Sequence, residues 1–125
     1  MLYKFLYSRV VKEVRFVGRA LDELREFPDH ARHDSGVELY RVQQGLDPKD
    51  WKPMSTVGPG VREIRVKTAE GIFRTMYTTV IGECVYVLHC FTKKTQKIPK
   101  SAKDLCKKRL EAARRDAAHR EGDTP

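Results

Sequence analysis

Three cysteines, one tryptophan and no long apolar run set the first limits on this 125-residue chain. An odd cysteine count leaves one thiol without a mate. Cys84 and Cys90, six positions apart on one expected strand, would stand about 20 Å apart, beyond disulfide reach. No Cys-x-x-Cys occurs, which removes the usual structural zinc spacing, so the cysteines read as small core residues. The longest apolar-rich run, Cys84 to Phe91, contains His89 and falls far short of the roughly 18–20 residues of a bilayer helix. The opening Met1-Leu2-Tyr3-Lys4-Phe5-Leu6-Tyr7-Ser8 has a charge inside a short apolar patch and no small-residue cleavage site, so it does not read as a secretion signal. The expected location is the cytoplasm, with no membrane partner. Signatures of familiar enzyme classes are also missing. There is no P-loop, dinucleotide fingerprint, His-Glu-x-x-His or Gly-x-Ser-x-Gly, and no cofactor is expected. His30 and His33, three apart beside Asp29 and Asp34, have metal-ligand spacing but no third ligand; they read as a surface pair, and no metal site is expected.

Positive charge is what the chain has. The net charge is +8, and residues 93 to 115 hold ten Lys and Arg against only Asp104 and Glu111, so the excess is local. A concentrated cationic strip is the footprint of a polyanion partner such as RNA, where binding releases condensed counterions. The plainer alternative is a solvated lysine-rich helix face. The hydrophobic fraction of 40% and charged fraction of 34% describe a soluble globular chain with room for one domain. That domain is expected to run over 1–125, with its core at about 12–113, residues 1–11 as an arm or extra strand, and 116–125 as a frayed tail.

Residues 12 to 17 alternate polar and apolar, which predicts a short half-buried strand. After Gly18, Ala20, Leu21, Leu24 and Phe27 share one helical face up to Pro28. Asp29 to Gly45 has a weaker stripe through Ala31, Val37 and Tyr40, with Leu39 and Val42 as further candidates, and predicts a second helix that Gly36 could interrupt. Residues 47 to 60, with three prolines and two glycines in fourteen positions, predict loop and turns. Val61 to Lys67, Ile72 to Ile81 and Glu83 or Cys84 to Lys93 predict three strands with brief glycine-containing links, hence an antiparallel meander. Pro99, then Ser101 as N-cap candidate with Asp104 in the first turn, opens a final helix expected to end near residues 113–115. The order implies an α+β fold: a small antiparallel or mixed sheet, N-terminal helices on one face, a C-terminal helix, and one sheet face left open to bind.

On such a meander the cations Arg62 and Arg65, Arg74, and Lys93 and Lys94 come within side-chain reach, a phosphate-sized site. Metal-free RNA cleavage needs the 2′-hydroxyl to attack its own phosphodiester, and fixed cations stabilise the charge gathering on phosphate oxygens by about 3–4 kcal/mol per well-aimed donor. Arginine's planar fork grips two oxygens at once, and a lysine crowded by cations is a candidate general base or acid. The alternative is that these residues decorate a solvated face or bind RNA without cutting it. His89, mid-strand in an apolar run, reads first as a hydrogen-bonded core histidine, and as a proton carrier only if it faces the groove.

The stretches Gly60-Val61-Arg62-Glu63-Ile64-Arg65-Val66, Ile72-Phe73-Arg74-Thr75-Met76-Tyr77 and Tyr86-Val87-Leu88-His89-Cys90-Phe91-Thr92-Lys93-Lys94-Thr95-Gln96-Lys97-Ile98-Pro99 strongly resemble the phage-derived branch of the RelE/HigB toxins. The likeness covers roughly residues 12 to 113. It implies a RelE-like fold, ribosome-dependent endoribonuclease activity on messenger RNA, and silencing by a cognate antitoxin, often a helix-turn-helix DNA-binding protein. It implies catalytic roles for Arg65, Arg74, Lys93 and Lys94, and RNA-backbone contacts for Lys52 and Lys67. Arg62, Lys97 and Lys100 complete the expected RNA-binding set. Some relatives carry a late tyrosine or histidine that stacks on or deprotonates the nucleotide; here no aromatic residue follows Phe91, and only His119 lies near the tail. Two other readings stand beside this one: a ParE-like toxin acting on DNA gyrase without cleavage, and a non-catalytic RNA-binding module.

Overall fold

The computed structural model of the protein describes residues 11–93 and 97–122. The alternation near the start becomes β1 (Val14–Phe16), and two helices follow, α1 (Ala20–Arg25) and α2 (Asp29–Gln43). Pro28 immediately precedes α2 with φ −55, the fixed backbone angle that suits a helix start. Gly36 does not interrupt α2, which runs fifteen residues without a break. Its weak periodicity has a physical cause: Ala31, Leu39 and Val42 are buried, whereas Val37 and Tyr40, expected on the same stripe, are exposed on the outer side.

The remaining elements are β2 (Trp51–Pro53), β3 (Val61–Thr68), β4 (Gly71–Thr78), β5 (Val85–Lys93) and α3 (Lys100–Gly122). The sheet order is β1-β5-β4-β3-β2. The expected meander is present as antiparallel β3, β4 and β5, while β1 lies parallel to β5, making the sheet mixed. The segment expected to be all loop holds β2, a three-residue strand opposite Arg62 to Ile64. Proline is tolerated there because β2 is the sheet edge, where one side of the backbone needs no ladder partner.

Two cores lie on opposite sides of the sheet. Ala20, Leu24, Phe27, Ala31, Leu39 and Val42 from α1 and α2 pack against Ile64, Val66, Phe73, Tyr77 and Val87. On the other side Cys106, Leu110, Ala113 and Ala117 of α3 pack against Val61, Met76, Tyr86 and Leu88. The expectation of an open second face is therefore corrected: α3 covers much of it, because its small apolar residues recur at helical spacing and allow close approach. Gly58 matters to that seating, since a Cβ there would stand 2.4 Å from Leu110 Cδ2. Leu110 is 2% exposed, and truncating it to alanine would cost about 2–5 kcal/mol.

Two boundary expectations for α3 also change. Ser101 lies within the first turn rather than capping it, because the helix starts at Lys100 and Lys103 N–H already donates to Pro99 O. Residues 116–122 are helical rather than frayed: Asp116 accepts hydrogen bonds from Arg15 Nε and the Tyr86 hydroxyl, both at 2.8 Å, and Ala117 is buried. Residues 1–10 of the expected arm and 123–125 of the expected tail lie outside the described residues.

Candidate nucleic-acid interface

Register decides which cations share a face, because directly opposed residues on neighbouring antiparallel strands point the same way. Lys52 pairs with Glu63, Glu63 with Met76 and Met76 with His89, forming one row across the sheet. The next row runs Arg65, Arg74, Phe91. Met76 belongs to the α3 side, so Lys52, Arg65, Lys67 and Arg74 all occupy that face. Arg62 does not join them. It pairs with Tyr77 on the opposite face, lies 4.0 Å over the Trp51 ring and forms a 3.0 Å ion pair with Asp47.

The two arginines that share a row have different surroundings. Arg74 Nη1 lies 2.6 Å from Glu63 Oε1, with both side chains 1% exposed. In this conformation the Arg74 guanidinium is buried and faces the Glu63 carboxylate. Arg65 remains 23% exposed, with Nη2 3.3 Å from Asp50 Oδ1. Lys67 is exposed and approaches the same carboxylate at 4.0 Å. Lys94 lies outside the described residues, as does the side chain of Lys93.

Lys52, Lys97 and Lys100, all expected to bind RNA, line one groove of about 540 Å³ between β2 and the start of α3. Met54 and Ile98 form part of its apolar lining. Lys103 completes a set of four lysines and was not among the expected residues. Its signal was present, since it follows Lys100 by three positions, the spacing that puts two side chains on one helix face. The lysines come from segments some forty-five residues apart in sequence, and only the fold brings them together. Four ammonium groups around an apolar floor suit a phosphodiester chain whose charged edge meets lysine and whose bases rest on carbon.

A second polar cluster lies at the outer edge of β5. The register shifts by one residue between Met76 and Tyr77, leaving Leu88 as the extra residue of a bulge. Past the bulge, the β5 edge that short β1 does not cover is satisfied by side chains. Arg109 Nη1 donates to Leu88 O at 2.9 Å, and Cys90 N–H donates to Glu23 Oε1 at 3.2 Å. Glu23 Oε1 also accepts from Arg109 and from His89 Nδ1, each at 2.8 Å. Burial pushes the Glu23 carboxyl up, but the hydrogen bonds from Arg109, His89 and the Cys90 amide outweigh it and hold the group below the ordinary glutamate value. Gly18, at φ 57, gives the Arg109 side chain room to reach this cluster, since a Cβ there would stand 3.1 Å from Nε. His89, its ring stacked 4.8 Å from Phe91, is the hydrogen-bonded histidine of the plainer reading. The sequence held no local signal for the cluster, because its members are Glu23, His89 and Arg109, contributed by three different elements.

All three cysteines are free and buried. Burial pushes the thiols of Cys90 and Cys106 up to about 12. Both members of the His30/His33 pair are exposed on α2, and no group of three potential metal ligands occurs among the described residues. No helix among the described residues is long and apolar enough to cross a membrane.

A lysine-lined groove beside a mixed five-stranded sheet with helices on both faces places the chain among small α+β proteins with a basic surface groove. The family described as phage-derived protein Gp49-like (DUF891) matches residues 22–111, most of the chain, and the protein belongs to that family, whose members are RelE/HigB-like toxins of toxin–antitoxin systems. No curated protein matches the chain.

Proposed function

We propose that the chain is the toxin of a type II toxin–antitoxin system of the HigB branch, with a RelE-like fold, and that it cuts messenger RNA on the ribosome. The observation that carries this reading is the convergence of Lys52, Lys97, Lys100 and Lys103 on one groove, on the sheet face that also holds Arg65. The groove lysines hold the backbone of the message. Arg65, its side chain 23% exposed and its Nη2 3.3 Å from Asp50, is the residue assigned to transition-state charge. Lys93 and Lys94 add charge or transfer protons, and Lys67 touches the backbone beside Arg65. Arg74 is recast as a positioning residue that locks β3 to β4 through Glu63. Arg62, on the other face, has no part in the groove.

The reaction needs no metal in this scheme. The 2′-oxygen forms a bond to phosphorus, the bond from phosphorus to the 5′-oxygen breaks, the 2′-proton leaves to a base, and the 5′-oxygen takes up a proton. The products are a 2′,3′-cyclic phosphate and a 5′-hydroxyl. The partner is a cognate antitoxin, a helix-turn-helix protein that silences the toxin in the cytoplasm.

Induction of the chain without its antitoxin, followed by mapping of message ends, tests the reading. Breaks in codon phase that disappear when translation initiation is blocked are expected. Intact message with damaged DNA would replace this reading with the gyrase-directed one, and neither effect would leave only a binding module.

A further inference from the structure

The inner face of α3 is apolar and buried; its outer face is a cationic stripe. At 100° per residue, Lys108 and Arg115 fall opposite the buried Cys106, Leu110 and Ala113, Lys100, Lys107 and Arg114 flank them on one side, and all five are exposed. The stripe contains two acids, and each is engaged: Asp104 pairs with Lys100 and Glu111 with Arg114. Lys107, Lys108 and Arg115 have no acidic partner among the described residues. At 1.5 Å of rise per residue, the stripe extends about 22 Å from Lys100 to Arg115. Its first residue, Lys100, also lines the lysine groove, so the two cationic surfaces are continuous.

We infer that the outer face of α3 is a second RNA site, one that binds the sugar–phosphate backbone of paired RNA while the groove takes the single strand. The inference rests on the RNA-directed reading above and adds to it a distinct surface and a distinct form of RNA. The absence of aromatic side chains makes the distinction. Proteins that hold single strands combine charge with rings on which bases stack. No Phe, Tyr or Trp follows Phe91 in the sequence, and the stripe from Lys100 to Arg115 holds no ring, His119 lying beyond it. The stripe is equipped to read charge and shape, not bases, which is how paired RNA is recognised. A straight, rigid row of cations also suits a pre-ordered polyanion. A duplex presents charge at roughly one phosphate per 1.7 Å of axis on the DNA value, on the order of ten along this stripe. An acidic peptide would first have to be ordered against the helix, at an entropic cost for each residue fixed.

The test compares the full-length wild type with the triple variant Lys107→Ala/Lys108→Ala/Arg115→Ala and with the groove variant Lys52→Ala/Lys97→Ala. Each is titrated over a range of potassium chloride with an RNA duplex of about 16 base pairs, with unstructured poly(U), and with poly-glutamate. The triple variant replaces only exposed side chains, and an unchanged Tm verifies its fold. It is expected to bind the duplex at least about tenfold more weakly, with a log–log salt slope shallower by about 2–3, roughly one per contact removed. Its poly(U) affinity should change less than about threefold. The groove variant is expected to lose poly(U) binding. A triple variant that binds duplex like the wild type overturns the inference while leaving the groove reading standing. So does one that loses poly(U) or poly-glutamate binding to the same degree as duplex binding, because the stripe would then be a general polyanion surface. A wild type that binds neither RNA refutes the RNA-directed reading itself.

Discussion

The Arg74 guanidinium and the Glu63 carboxylate meet at 2.6 Å between β3 and β4, each side chain 1% exposed. Taking two charges out of water is costly, and their mutual attraction and hydrogen bond offset that cost. Removing one partner deprives the other of this buried ion pair. Arg74→Ala or Glu63→Ala is expected to lose about 3–5 kcal/mol of stability in urea denaturation, and the apolar double replacement Glu63→Leu/Arg74→Met to recover most of that loss. Any loss of toxicity in Arg74→Ala then reflects the fold. An Arg74→Ala protein as stable as the wild type would remove the positioning role assigned here.

Arg65 offers the contrasting case on the same row. Its ion pair with Asp50 is partly exposed, so breaking it should cost less than about 1 kcal/mol. If Arg65 stabilises the transition state, Arg65→Ala cuts ribosome-bound message about 10²–10³-fold more slowly while melting like the wild type. Equal cutting rates in a single-turnover assay would exclude that role.

Acid sensitivity follows from Glu23. Its carboxyl is held below the ordinary value, so its contribution to stability is complete above that value and is lost as pH falls through the depressed one. Asp116 acts in the same direction: burial pushes it up, but hydrogen bonds from Tyr86 and Arg15 outweigh that and hold it low. The wild type should keep its stability down to about the usual glutamate pKa of 4.5 and lose it steeply below. Glu23→Gln should be less stable at neutral pH and show a shallower acid limb. Identical limbs in denaturant titrations at several pH values would disprove the assignment.

Burial also silences the thiols. With Cys90 and Cys106 pushed up to about 12, and Cys84 raised mainly by burial as well, almost no thiolate exists at neutral pH. A disulfide reagent such as DTNB should label none of the three until the protein is unfolded. Rapid labelling of Cys84 or Cys106 in the folded protein would contradict the packing of α3 against the sheet.

Gly36 occupies an exposed helical position with no atom within 4 Å of where a Cβ would stand. Nothing within the described chain requires glycine there. Gly36→Ala is expected to stabilise the protein by about 0.5–1 kcal/mol, read as a rise in Tm. A destabilised variant would mean that the α2 backbone departs from regular helix at this point.

What the sequence determined by itself was local. Alternation marked β1 and the meander β3 to β5, helical spacing marked α1 and α3, and the charge count placed the cationic strip, because each signal lies within a few neighbouring residues. Tertiary structure decided the rest. A three-residue strand such as β2 is too short for periodicity to register, and α2, with Val37 and Tyr40 on one side and Leu39 and Val42 on the other, carries no single stripe from which its buried face could be read. Arg65 and Arg74 look alike in sequence and share a row in the sheet; only the folded structure leaves one partly exposed and buries the other against Glu63. The lysine groove likewise exists only once the edge strand meets the start of the last helix, since burial and convergence depend on which distant segments pack together.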